Sequence, residues 1–524
     1  MSKIKAPFAP FIISLCSFSS VFGQPLTQPQ IDSLVQATLK TFDVPGIAVA
    51  IVKDGKLVFA KGYGVASLNT GKKVDENTRF GIASNSKAFT VAALAMLVDE
   101  RKLRLDDKVT DYIPEFKMYD PYVSAEFTIR DLLTHRSGLG LGSGDLMIFP
   151  DSSDFQVKDI IHNLRYLKPV SSFRSKYDYD NQMYIVAGEI VARVSGMSWE
   201  DFIETKIMQP LQMNNSAASY PRLKNKENVI DAHAPVDGKV QVISRYVDET
   251  TDAAGGINSS VADMSKWIIM QMNDGNYGEA LNKQLFSAAL HHQMWSPQTI
   301  IPTDADLYNT HFLAYGLGFF LRDVKGYLEV THTGGLDGTV TEVTMVPELK
   351  LGILVFTNQQ AGGAMHTITN EILDGYLGLP RRDLLLMYSG KSNRFHEQSQ
   401  KITNAVWKQV SERQKQGVVI DTAVFGGEYH DNWLGDIVIS KINGVVRFQA
   451  KRSGKLTGEV LPYNANTLVV KWDIHSMDAN AFMIFNLNEQ GKPTGFTMKP
   501  VSPETDFSYD FQDLDFKKLI KPLP

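Results

Sequence analysis

One cysteine in 524 residues leaves no intramolecular partner for a disulfide and too few thiolates for a zinc or iron–sulfur site. A net charge of −5 gives no polycationic footprint for nucleic acid, and there are no basic clusters of the kind that hold a protein on anionic lipid. After the N-terminal leader, no apolar run reaches the ~20 residues that a membrane-spanning helix needs. Neither low complexity nor an internal repeat is present. With 43% hydrophobic and 21% charged residues the balance is that of a globular protein rather than a disordered one. At ~100–200 residues per domain the length allows two or three domains.

The first residues have the pattern of an address. Lys3 and Lys5 precede the apolar run from Phe8 to Leu15, and small residues lead to Gly23 before Gln24. This is the order of a secretory signal peptide, and Pro7 and Pro10 argue against a membrane anchor. Leu15 is not the small residue expected before a lipidated cysteine, so Cys16 does not make a lipoprotein signal. Cleavage after residue 23 would leave a thiol-free chain, soluble and either secreted or periplasmic.

Residues 46–63 read as a β-hairpin. The run Ile47-Ala48-Val49-Ala50-Ile51-Val52 meets Asp54-Gly55, a favoured two-residue turn, and then Leu57-Val58-Phe59-Ala60. Helical patterns cover 84–101 and 181–195, the second stopping at Gly196. Helices and polar loops dominate to about residue 300, and strand patterns return at 326–333, 339–346 and 351–357. A sheet with its first strands near the N-terminus and its last near 357 therefore brackets a helical insert, an α+β arrangement. Residues 389–416 read as a linker or a solvated helix. Beyond Phe425, strand-like runs recur about every ten residues, with turn signals at Asn443-Gly444, Ser453-Gly454 and Gln490-Gly491. Seven or eight strands over 425–513 suggest a small closed barrel, because closure removes exposed edges. The divisions expected are 1–23 (leader), 24–388 (main domain), 389–420 (linker or helix) and 421–524 (β domain).

Serine attacks poorly at neutral pH unless a neighbouring base takes its proton. Neither a G-x-S-x-G elbow nor H-E-x-x-H occurs. Ser84-Asn85-Ser86-Lys87 does occur, at the start of a helical pattern. Its i to i+3 spacing puts serine and lysine one turn apart on one face, with the helix N-terminus beside Ser84 to favour an oxyanion. Alone the motif is weak: S-x-x-K recurs at Ser2 to Lys5, and Ser84 reads equally as a helix cap. Tyr179-Asp180-Asn181 is the only Y-x-N in the chain. A phenol beside a lysine can shuttle protons, and Asn181 could hold a substrate amide or merely cap the following helix. His332-Thr333-Gly334-Gly335 closes a strand signal. Its imidazole could serve as donor or relay, Gly334 could admit a substrate backbone, and the Gly335 N–H could complete an oxyanion pair with that of Ser84. The remaining histidines, His291-His292 included, lack metal-ligand spacing, so no cofactor or metal is expected.

S-x-x-K, Y-x-N and H-T-G in this order resemble the penicillin-recognising serine hydrolases: class C β-lactamases, D-alanyl-D-alanine carboxypeptidases, D-aminopeptidases and related esterases. Further landmarks are Val44-Pro45-Gly46-Ile47, Leu132-Leu133-Thr134-His135-Arg136-Ser137-Gly138-Leu139, Pro210-Leu211-Gln212-Met213 and Ala254-Gly255-Gly256-Ile257. The resemblance spans about residues 30–380. It implies an antiparallel sheet with helices and an all-helical insert, Ser84 as acylated nucleophile, Lys87 as its base partner and Tyr179 as proton shuttle. His332 joins them as a catalytic candidate, and Asn181, Thr333, Gly334 and Gly335 would line the substrate. Whether Lys87 or Tyr179 takes the first proton stays open. His332 stands where β-lactamases of the family carry lysine, which favours D-amino-acid-containing peptides, amides or small esters over lactams. The β domain resembles the lipocalin-like appendages of some family members, through its strand pattern alone. It could hold a ligand, shape the cleft or mediate homo-oligomer assembly, with Trp433, Tyr463 and Trp472 as pocket or core residues. A β-lactamase is the alternative enzyme, and a non-catalytic penicillin-binding sensor is the alternative of another class.

Overall fold

A computed structural model describes residues 24–304 and 306–519; the leader lies outside the described residues. Two β-structures dominate. The first is an eight-stranded antiparallel sheet ordered 56–64, 46–53, 351–357, 339–346, 327–336, 320–324, 313–315 and 299–301. Strand Gly46–Lys53, from near the N-terminus, pairs with Leu351–Thr357, so the sheet closes around the insert as the sequence implies. Asp54 and Gly55 turn the first hairpin with φ of 52° and 73°. Both central positions need positive φ in this turn, which suits Asp-Gly.

Strands Thr299–Ile301, Leu313–Tyr315 and Phe320–Val324 extend the sheet beyond the strands read from the sequence. Two of them have only three residues, too short for an alternating pattern to register. Residues between the sheet's halves form mainly helices, with three two-stranded pairings among them. Helix Lys87–Asp99 runs through the centre and is buried on nearly every side, as its Ala- and Leu-rich composition demands. Phe89 stacks on Trp267 at 3.8 Å between centroids.

The second structure is a closed barrel of eight antiparallel strands, from Gly427–Asp431 to Asp515–Lys518. The last strand lies just past the expected end at 513. Aromatic rings fill the interior: Tyr429, Phe485 and Phe516 all pack on Phe496, with ring centres 4.7–5.0 Å away. Trp433 and Trp472 are core residues, and the Trp472 indole N–H donates to the Ala479 carbonyl at 2.7 Å. The segment expected as linker or helix is helix Leu384–Lys415. Its Val406 and Val410 pack with Leu461, Val469 and Val501 of the barrel. No helix among the described residues is long and apolar enough to cross a membrane.

The barrel is fastened to the main domain along 143–163. Ser143 donates to Asp513 at 2.6 Å, and the Asn163 side-chain amide donates to the Trp433 carbonyl at 2.8 Å. Arg452 pairs with Asp154 at 2.6 Å and Asp159 at 2.9 Å, and Lys455 pairs with Asp151.

Candidate active site

Ser84 sits in the 3₁₀ turn Ala83–Ser86 that feeds the central helix. The turn is forced into shape. Ala83 has φ of 49°, a conformation costly for a residue with a Cβ, and neighbours hold it there. The Ile82 N–H donates to the Ile257 carbonyl at 2.8 Å, and Thr341 Oγ1 donates to the Ile82 carbonyl at 3.0 Å. Gly334 belongs to the same clamp. A Cβ on it would meet the Ile82 carbonyl oxygen at 2.2 Å. The missing side chain of Gly334 thus makes room for the turn that carries Ser84, and Gly334 is not among the residues lining the cleft, while its neighbours Thr333 and Gly335 are.

Lys87 is fully buried and uses its ammonium completely. Nζ donates to Ser84 Oγ at 2.9 Å, to Asn181 Oδ1 at 2.7 Å and to the Ala254 carbonyl at 3.0 Å. Burial lowers its pKa to about 7, against the opposing pull of the Asp145 and Asp180 charges. Near neutrality, then, a large fraction is the free amine, which has a lone pair for a proton. The Ala254 carbonyl comes from the π-turn Asp252–Gly256, which corresponds to the Ala-Gly-Gly-Ile landmark.

Asn181 opens helix Asn181–Ser195, yet it is not the cap. Asp180 fills that position, accepting from the Gln182 N–H at 3.0 Å. This frees Asn181 to bridge Lys87 and Asp145, to whose Oδ2 it donates at 2.8 Å. Asp145 also receives the Gln182 side-chain amide at 3.2 Å, and burial raises its carboxyl well above the usual range. Motif reading gives no hint of Asp145, which stands 36 residues away from its partner.

Tyr179 lies over the same lysine, with Nζ 4.7 Å from its ring centre. Its hydroxyl is buried without a formed hydrogen bond, and Ser84 is close enough to favour ionisation. Burial outweighs that influence and pushes the phenol well above 10. His135, from the Leu-Leu-Thr-His landmark, packs against Tyr179 with ring centres 4.2 Å apart. Its Nδ1 accepts from the Asp180 N–H at 3.1 Å.

His332 stands in the opposite wall, on strand Tyr327–Leu336. Both its nitrogens are engaged. Nδ1 lies 2.6 Å from the Thr333 carbonyl, which can only accept, so Nδ1 carries the proton; Nε2 then accepts from the Tyr315 hydroxyl at 3.0 Å. Burial, together with the Lys87 charge, lowers its pKa to about 3, so the ring is neutral. The arrangement gives His332 no free proton to relay.

Ser84, Tyr179, Asn181, His332, Thr333 and Gly335 line one cleft of about 350 Å³, and Lys87 lies directly beneath it. The remaining wall is mainly apolar, with Ile148, Phe149 and Phe320 among its residues. One part is invisible to motif reading: residues 506–509, from the barrel domain, also line the cleft. Phe507 meets Tyr179 edge-on at 5.9 Å. Among the described residues no cluster of histidine, cysteine and carboxylate side chains has the makings of a metal site.

Known proteins share this architecture. The octameric penicillin-binding protein homologue from Pyrococcus abyssi superposes with a TM-score of 0.59 at 21% identity, covering 94% of this chain and all of that one, which is a likeness of fold. Unguisins hydrolase ungD of Aspergillus violaceofuscus is 30% identical over 382 residues, 67% of this chain and 65% of that protein. Protein flp of Staphylococcus aureus is 28% identical over 335 residues, 63% of each chain. The matches thus span less than two thirds of these relatives' own lengths. Residues 423–518 match a domain of unknown function, DUF3471. Residues 31–375, which contain Ser84, the buried Lys87 and every other motif residue of the cleft, match the Beta-lactamase model, and the chain belongs to that family of serine hydrolases.

Proposed function

We propose that this protein is an exported hydrolase that forms an acyl-enzyme on Ser84 and passes the acyl group to water. Its substrates on this reading are D-amino-acid-containing peptides or amides, or small esters. The observation that carries the proposal is the fully buried Lys87 amine 2.9 Å from Ser84 Oγ. A lysine at about 7 accepts the serine proton at neutral pH, as an exposed lysine would not. The phenol of Tyr179 is held too high to start as tyrosinate, so it acts as an acid.

Ser84 Oγ attacks the acyl carbonyl carbon while its proton passes to the Lys87 amine. The N–H groups of Ser84 and Gly335 hold the resulting oxyanion. Tyr179 protonates the leaving amine or alcohol and regains a proton from the Lys87 ammonium, so the carbon–heteroatom bond breaks with charge balanced. Water repeats the sequence on the ester, and Ser84 leaves with its proton restored. Asn181 holds the lysine, and His332 with Thr333 forms a neutral wall. The relative named as a hydrolase supports the reaction class. Export rests on the pattern of residues 1–23.

The test is the intact mass of the protein after a fluorophosphonate probe, with peptide mapping and Ser84→Ala as control, followed by a panel of D-peptide amides, esters and lactams. A single adduct on Ser84 with turnover on that panel is expected. Activity retained by Ser84→Ala would overturn the reading.

A further inference from the structure

The charged side chains lining the cleft are Asp337 and Asp506, and among the described residues no lysine or arginine accompanies them in the wall. Asp337 follows directly on strand Tyr327–Leu336, two residues past Gly335. Asp506 comes from the barrel domain. The neighbouring cation, Lys455, is committed to Asp151. Burial first, and then the charges of Asp151 and Asp506, raise the Asp337 carboxyl to about 7. A second observation points the same way. Tyr509 is only 4% exposed, lines the same cleft, and its buried hydroxyl has no hydrogen-bond partner among the described residues. Orphaned buried hydroxyls are uncommon and call for an explanation.

We propose that this end of the cleft is a subsite for an ammonium group on the substrate, held between Asp337 of the hydrolase sheet and Asp506 of the barrel, with the Tyr509 hydroxyl as a third acceptor. An ammonium has three donors and no acceptor, which matches two carboxylates and a hydroxyl oxygen. Two carboxylates and no cation repel a carboxylate, so substrates ending in a free carboxyl group bind poorly. Amides and esters with a free amino group on the acyl side fit. The apolar wall with Phe507 takes the rest of the acyl chain. The subsite spans the domain boundary, which assigns the barrel a part in substrate choice. The inference rests on the reading of Ser84 as the acylated group, since that fixes which end of the cleft reacts.

The test uses D-alanyl and 6-aminohexanoyl 4-nitroanilides in three forms: free amine, N-acetyl and N-succinyl. Binding is measured calorimetrically to Ser84→Ala, and kcat/KM on the active enzyme. At least one free amine is expected to bind Ser84→Ala about tenfold or more tightly than its N-acetyl form, with the N-succinyl form weakest. Adding Asp337→Asn and Asp506→Asn should bring the amine-to-acetyl ratio close to one. The Asp506→Asn change keeps an oxygen to accept the Ser508 N–H, which Asp506 binds at 3.0 Å, so the loop retains its turn, and a thermal melt checks the fold. Equal binding of amine and acetyl forms, no measurable binding of either amine, or a ratio that survives both substitutions would overturn the proposal. Failure of the active enzyme to cleave any form, with the binding ratio intact, would instead count against the hydrolase reading.

Discussion

The carboxylate of Asp510, in the barrel domain, accepts the Gly144 N–H of the hydrolase domain at 2.6 Å. Its other oxygen accepts the Leu146 N–H at 2.9 Å. Between these two amides lies Asp145, which holds Asn181, which holds Lys87, which touches Ser84. A fully buried group in the appended domain thus anchors the far end of the hydrogen-bond chain that ends on Ser84. Asp510→Ala leaves two buried amides unsatisfied, at a cost of about 1–3 kcal/mol each. Its expected effect is a lower melting temperature and a kcat reduced about tenfold or more, with KM changed less. Asp510→Asn keeps one acceptor oxygen and should fall in between. A kcat unchanged in Asp510→Ala would show that the chain does not bear on catalysis.

On the proposed reading, Ser84 as nucleophile and Lys87 as its base should behave as one unit. Ser84→Ala and Lys87→Met each remove nearly all turnover, and the double variant falls little further, because neither group works without the other. Lys87→Met keeps an unbranched chain, one heavy atom shorter, while deleting a buried amine, so the fold is expected to persist. Steady-state kinetics of the three variants on one ester checks this, and multiplicative losses would contradict the paired role.

This site is legible in the sequence wherever function is local. Ser84 and Lys87 share a helix face because of helical periodicity, and Tyr179 and Asn181 flank one cap residue. The packing of Gly334 against the Ile82 carbonyl is not legible, because a glycine that admits a ligand and one that admits a neighbouring carbonyl look identical in a sequence. Asp510 and residues 506–509 are out of reach for another reason. They meet the site across more than 300 residues of chain, brought there by the barrel's docking, and no local pattern encodes that contact. Strands Thr299–Ile301 and Leu313–Tyr315 escape because three residues carry no period.

Lys87 also fixes the direction of the pH dependence. Its pKa in the folded protein is lowered to about 7, and only the amine form accepts the serine proton. Below that value the lysine is an ammonium and acylation fails, so kcat/KM should rise about tenfold per pH unit from about pH 5 and level off above about 7. His332, neutral throughout this range, adds no step. The profile of kcat/KM on a neutral ester, whose own ionisation does not interfere, tests this. A rise that begins only well above 10, where burial holds the Tyr179 phenol, would return the first proton transfer to Tyr179.

Tyr179→Phe separates chemistry from packing. The hydroxyl makes no formed hydrogen bond in the resting protein, while the ring packs on His135 and Phe507. Removing the oxygen should therefore leave the melting temperature nearly unchanged and cost about 10²–10⁴ in turnover, the range for loss of a positioned proton donor. The loss should be smaller for esters with acidic phenol leaving groups, which depart without a proton, than for amides, which need one. Parallel measurement on a 4-nitrophenyl ester and the matching amide decides it, since equal losses on both would remove Tyr179 from leaving-group protonation.

Gly334→Ala tests the clamp on the nucleophile turn. The added methyl would lie 2.2 Å from the Ile82 carbonyl oxygen, 2.7 Å from Thr341 Oγ1 and 3.0 Å from the Ala83 Cβ. None of these is the end of a long, flexible side chain, so the strand or the turn has to shift. Overpacking of this kind costs about 1–3 kcal/mol. The shift falls on Ala83 and Ser84, so kcat should drop out of proportion to the lost stability, because small misplacements of a nucleophile are expensive in rate. Gly335→Ala, with no atom within 4 Å of its added methyl, is the matched control for the fold and should melt close to the parent. Equal melting of the two variants would mean that the strand yields without strain, and the clamp would then have no energetic basis.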